Sequence, residues 1–212
     1  MLVAAAASFA VSLPLAACLG EGGVSATAVC GGVSDKAGTA VVAIAGDDRF
    51  EHGSEGDVPG AAATLNQALN GGTPVRPLKL CDIRPLEPDT SPGAPRMESI
   101  PVTAALLADL PQDPNEGLES SYYSRRYPYG LRASAGFRSG DLYFKCAREG
   151  DRSGAAMIVE MKSESLDGVA VDDSPDARMA LLRELAGQLA TSLGCPRTAN
   201  VPTADKPYIN KR

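Results

Sequence analysis

The chain of 212 residues contains no tryptophan and a single histidine, and aromatic residues make up only 5% of it. One histidine excludes a three-histidine zinc site and the two-histidine helix of the zinc proteases. It also restricts any Ser-His-Asp triad to His52, which sits in Glu51-His52-Gly53-Ser54-Glu55, a run that reads as a solvated loop. No Gly-x-Ser-x-Gly elbow occurs, since Arg132-Ala133-Ser134-Ala135-Gly136 fails at its first position. Ser-x-x-Lys, a phosphate loop and a dinucleotide fingerprint are missing as well. No cofactor is expected. Basic residues are also short, 20 against 26 acidic, for a formal charge of −6. A general nucleic-acid binder needs a basic face to displace counterions, so nucleic acid is not an expected partner.

Charge is absent altogether from the start of the chain, where Glu21 is the first charged residue. Met1–Gly20 consists of Ala, Leu, Val and Phe, broken only by small polar residues and Pro14. A buried helix would keep one polar stripe, and Pro14 with the Gly-rich sequel makes a poor membrane anchor. An export segment is the better reading. Leu15-Ala16-Ala17-Cys18 resembles the lipobox of bacterial lipoproteins, in which the cysteine is acylated and becomes the new N-terminus. That resemblance implies lipidation at Cys18 and a membrane partner through the N-terminus. Ala26-Thr27-Ala28 offers an alternative cleavage site, and no Lys or Arg precedes the apolar run. Together with Cys30-Gly31-Gly32 and 14 Arg against 6 Lys, these residues resemble the small exported lipoproteins of high-GC actinobacteria. That family implies an α+β fold outside the membrane.

Cysteine is sparse, five residues with no CxxC pair, which argues against a zinc site. Setting Cys18 aside leaves Cys30, Cys81, Cys146 and Cys195, an even number, which in an exported chain predicts two disulfides. Four cysteines permit three pairings. A Pro-rich break at 85–101 favours contacts within each half, hence Cys30 with Cys81 and Cys146 with Cys195.

The organisation that follows is a signal or lipobox segment at 1–18, an N-terminal half at 29–84, a Pro-rich linker or loop at 85–101, a C-terminal half at 102–197 and a tail at 198–212. The expected fold class is α+β, small antiparallel sheets packed by helices and stapled by disulfides. Helices are expected at 29–46, capped by Ser34 and stopped by Gly46, and at 60–69. Val75–Ile83 alternates as a strand, and Pro77 places it at an edge. Val102–Leu110 reads as a helix, and Leu131–Cys146 and Ala155–Ser165 as strands. The clearest helix is 174–194. Ser174 and Pro175 start it, Leu182, Leu185, Leu189 and Leu193 line one face, and Arg178, Arg183, Glu184, Gln188 and Ser192 fill the others.

Acidic residues crowd 47–57 without the spacing of a calcium loop, so a solvated loop is expected and no metal site. Four of the six tyrosines and three arginines fall within 122–132. Tyr122, Tyr123, Arg125, Arg126, Tyr127 and Tyr129 are the candidate partner-binding residues, because Tyr and Arg concentrate at interface centres and Arg forks onto anionic polymers. Packing over a core without tryptophan is the competing reading. The expectation is an extracytoplasmic protein, membrane-anchored or secreted, with a non-enzymatic binding role toward an envelope protein or anionic polymer. The alternatives are a hydrolase without a recognisable motif and a structural subunit of an envelope assembly.

Overall fold

A computed structural model describes residues 23–71, 76–86, 96–97, 99–108, 125–136, 138–148, 154–162, 165–166 and 175–201. In chain order the elements are β1 (Val24–Ser25), a 3-10 turn (Val29–Gly31), α1 (Asp35–Ala45), β2 (Arg49–Phe50) and α2 (Val58–Leu69). Then come β3 (Leu78–Ile83), β4 (Arg96–Met97), β5 (Ile100–Leu107), β6 (Arg125–Tyr127) and β7 (Arg132–Ala135). β8 (Ser139–Cys146), β9 (Ala155–Lys162), β10 (Ser165–Leu166), α3 (Pro175–Ser192) and α4 (Pro196–Ala199) complete the order. The fold is α+β. Six strands form one antiparallel sheet in the order β3-β5-β9-β8-β7-β6, and β1-β2 and β10-β4 form two-stranded ladders.

The helices begin and end where local chemistry directs. Ser34 accepts the N–H of Ala37, and Gly46 takes the left-handed conformation that stops α1. Asp57 plays the part of Ser34 for α2, accepting the N–H of Gly60 at 2.8 Å. The helix expected at 29–46 is shorter than its pattern. Cys30, Gly31 and Gly32 all have positive φ and Ser34 is extended, so α1 starts only at Asp35.

Two other expectations need correction. The helix expected over Val102–Leu110 is not formed in its described part: residues 100–107 form β5, paired with β3 on one side and β9 on the other. Its Ala-Ala-Leu-Leu run favours helix locally, but Ile100, Val102 and Ala104 gain burial by facing the core. Leu131–Cys146 is a hairpin, not one strand, and it reverses where Gly136 N–H donates to Ser139 O at 2.8 Å.

α3 lies on β7, β8 and β9, and α1 packs on its outer side. The helix is therefore buried on most of its circumference, including Arg178 at 0% exposure and Arg183 at 6%. The leucine spacing alone puts those two arginines on a solvent face. A single leucine stripe implies one covered side, and here there are two.

Core residues of both halves form one cluster, from Val41, Ile44 and Leu65 to Phe144, Val159 and Leu185. The 85–101 segment falls between β3 and β5, which are neighbouring strands of the same sheet. Cys30 is bonded to Cys81 and Cys146 to Cys195, with Cα–Cα distances of 4.9 and 5.2 Å. The first ties the 3-10 turn to β3, the second β8 to the residue that caps α4. β3 is an edge strand whose outer side is covered by 49–57: Asp57 N–H donates to Leu80 O and Glu51 N–H to Arg84 O. That cover leaves little open backbone for another strand to join.

Candidate functional site

A groove of about 400 Å³ runs along the exposed side of α3. Glu184, Gly187, Gln188 and Thr191 share that side because residues three, four and seven apart stack on one helix face. The facing wall is Gly31 of the 3-10 turn with Val58 and Pro59 from the first turn of α2, and Val201 stands beyond α4. The turn is pinned from two directions. Cys30 is bonded to Cys81 behind it, and Gln188 Nε2 donates to Gly32 O at 2.8 Å in front. Ser34 Oγ donates to Glu184 Oε2 at 3.3 Å, a further tie between the start of α1 and α3.

Gly187 stands in the middle of an 18-residue helix, where glycine is a poor choice. A Cβ built there would meet nothing within 4 Å, so packing does not require the glycine. It widens the groove and opens the backbone of α3 to whatever enters. The lining offers a carboxylate, a carboxamide, two hydroxyls and the edge of Arg183, whose guanidinium lies 5.6 Å from the Tyr129 ring centroid. Among the described residues the lining holds neither histidine nor cysteine. The arrangement suits hydrogen-bonded binding.

Of the Tyr/Arg segment only Tyr129, beneath Arg183, approaches the groove among the described residues. Tyr122 and Tyr123 fall outside the described residues, as does Cys18. Arg125 Nη1 is 2.7 Å from Asp176 Oδ2, and Tyr127 donates to Asp176 Oδ1 at 2.6 Å. Burial, and then the bond to Asp176, push the Tyr127 phenol well above its ordinary pKa. Tyr127 stacks with Tyr129 at 5.9 Å, and Tyr129 is only 6% exposed. Arg126 is exposed. The cluster thus joins β6 to the first turn of α3, and one ring belongs to the core.

A second polar group occupies the sheet face turned away from α3. Asp141 on β8 stands opposite Glu160 on β9 and accepts from Ser134 Oγ at 2.8 Å, with Arg132 Nε at 3.9 Å. Arg132 covers the Tyr143 ring at 4.3 Å. Burial raises the Asp141 carboxyl above its ordinary value, Glu160 adds to the rise, and Ser134 and Arg132 oppose it.

The acidic loop is accounted for locally. Asp57 caps α2, Asp47 accepts the Arg49 N–H, and Glu51 faces Arg84 at 4.0 Å. His52 is exposed, 3.5 Å from Glu55. Among the described residues no group of three His, Cys, Asp or Glu side chains is placed to hold a metal ion, and no helix is long and apolar enough to cross a membrane.

The groove is not legible in the sequence, because one wall, near 31 and 58, lies more than 120 residues from the other, near 184. The one local signal is Gly187, an unexplained glycine inside the best helix. Comparison with protein-family models, curated proteins and solved structures finds no match to this chain.

Proposed function

We propose that this chain is an exported envelope protein, similar in kind to the small lipoproteins its N-terminus resembles. It is held at the membrane through an acylated Cys18 or released outside it, and it works by binding rather than by catalysis. What supports export most directly is the pair of cystines in a chain that opens on an uncharged apolar run. Binding rests on the groove beside α3, which falls in the size range of ligand sites and is lined by hydrogen-bonding groups. The partner class is an envelope protein, an anionic polymer or a small polar ligand. The Tyr/Arg segment contributes Arg126 on the surface, while Arg125 and Tyr127 are engaged with Asp176.

Mass spectrometry of the protein from its own membrane fraction tests this reading. Denatured, the chain is expected to begin at Cys18, carry a lipid and lack the hydrogens of two cystines. Under native conditions a bound ligand is expected to survive in wild type and to be lost when Gly187→Trp fills the groove. An unprocessed chain with free thiols overturns export, and a ligand retained by the filled variant overturns the groove.

A further inference from the structure

Asn70 caps the C-terminus of α2 and is followed by Gly71, the single Asn-Gly step in the sequence. Both residues are exposed. Gly71 has a φ of +93°, and a Cβ there would meet nothing within 4 Å, so there is open space on the side-chain side of its Cα. From the other half of the chain Arg148, just past β8, donates from Nη1 to Asn70 Oδ1 at 2.8 Å. A guanidinium on that oxygen draws electron density from the amide carbon, and it stands where negative charge develops if the carbon is attacked. We propose that Asn70 is a site of spontaneous deamidation, with Arg148 as the donor that activates its side-chain amide.

The chemistry needs only water. Hydroxide removes the Gly71 amide proton, and the nitrogen forms a bond to Cγ of Asn70. The resulting oxyanion is held by Arg148. Collapse breaks the Cγ–Nδ2 bond, the departing nitrogen takes a proton from water and leaves as ammonia, and a succinimide ring remains. Water then opens the ring at either carbonyl, giving aspartate or an isoaspartyl linkage at position 70. One water is consumed and one ammonia released.

Attack requires the end of α2 to open, because Gly71 N–H donates to Ala68 O at 3.2 Å and Asn70 has a ψ of 22°. A terminal turn opens at low cost, and the glycine at 71 resists rotation least. The product matters for the fold. A carboxylate appears at the negative end of the α2 dipole, where Arg148 offsets part of the repulsion. The isoaspartyl form also lengthens the backbone at that point.

The test uses the full chain with both cystines intact, held at mildly alkaline pH, sampled over time and mapped by mass spectrometry. Hydroxylamine serves as the probe, since it cleaves a succinimide. Aspartate and isoaspartate are expected at position 70 ahead of any change at Asn66, Asn115, Asn200 or Asn210, with hydroxylamine cleavage between 70 and 71. Arg148→Ala is expected to slow the reaction several-fold. Arg148→Gln keeps most of the stem and guards against a folding defect in the first variant; it is expected to slow the reaction as well. Position 70 reacting no faster than the other asparagines overturns the site. An unchanged rate in a folded Arg148 variant overturns the role of Arg148.

Discussion

Tyr127 and Asp176 are 49 residues apart in sequence, yet the phenol donates to the carboxylate at 2.6 Å and ties the edge strand β6 to the first turn of α3. The same carboxylate takes Arg125, so the sheet edge is fastened to the positive end of a helix. Tyr127→Phe removes the hydrogen bond and keeps the ring that stacks on Tyr129. A loss of about 1 kcal/mol is expected in urea unfolding. Asp176→Asn should weaken both contacts, and its effect should not add to that of Tyr127→Phe, as a double-mutant cycle would detect.

The cystines are expected to be the largest single contributors to stability. Each closes a loop of about fifty residues, so Cys146→Ser with Cys195→Ser should cost about 4 kcal/mol. The pair Cys30→Ser with Cys81→Ser should cost a similar amount and also loosen the turn that forms one wall of the groove. Thermal unfolding with and without reductant reads both effects.

Asp141 gives a pH signature of unusual sign. Its carboxyl titrates higher in the folded chain than in the unfolded one, because burial and the facing Glu160 disfavour the charge. The folded state therefore holds the proton more tightly, and this residue costs stability as pH rises from the unfolded value through the folded one. Asp141→Asn keeps an acceptor for Ser134 and removes that cost. The variant should gain on wild type as pH rises toward neutrality, and the gain should vanish in acid. Urea midpoints across that range decide it. Asp82 runs the other way: burial raises its carboxyl, but bonds from Arg84 and Lys79 outweigh the effect and hold it low. Its contribution is present above the unfolded pKa and is lost in acid.

Gly187→Ala should stabilise the protein by roughly 1 kcal/mol, since the helix interior favours alanine and the added methyl has open space. The same methyl narrows the groove, so stability and ligand retention should move in opposite directions. A variant that gains stability and binds as before would mean that the glycine does not serve the groove.

Sequence legibility followed the range of the forces involved. The caps of α1, the proline that marks β3 as an edge and the leucine spacing of α3 are all local, and each reads directly. β5 does not, because Ala104–Leu107 favours helix until strands on both sides and a core beneath it are in place. The burial of Arg178 and Arg183 depends on elements packed around α3, such as Tyr129 over Arg183, which no window within α3 contains. The groove depends on three distant segments converging. Length of separation, not strangeness of chemistry, set what was hidden.

The order of the cystines also bears on how the chain is made. Cys30 and Cys81 both precede Cys146 and Cys195 in the chain, and neither loop encloses or crosses the other. For a chain emerging N-terminus first, each of these four cysteines therefore meets its native partner as the next of the four to arrive. With the Cys18 thiol acylated, as proposed above, oxidation of these four in order of appearance yields the native bonds. The second bond therefore needs no rearrangement of the first.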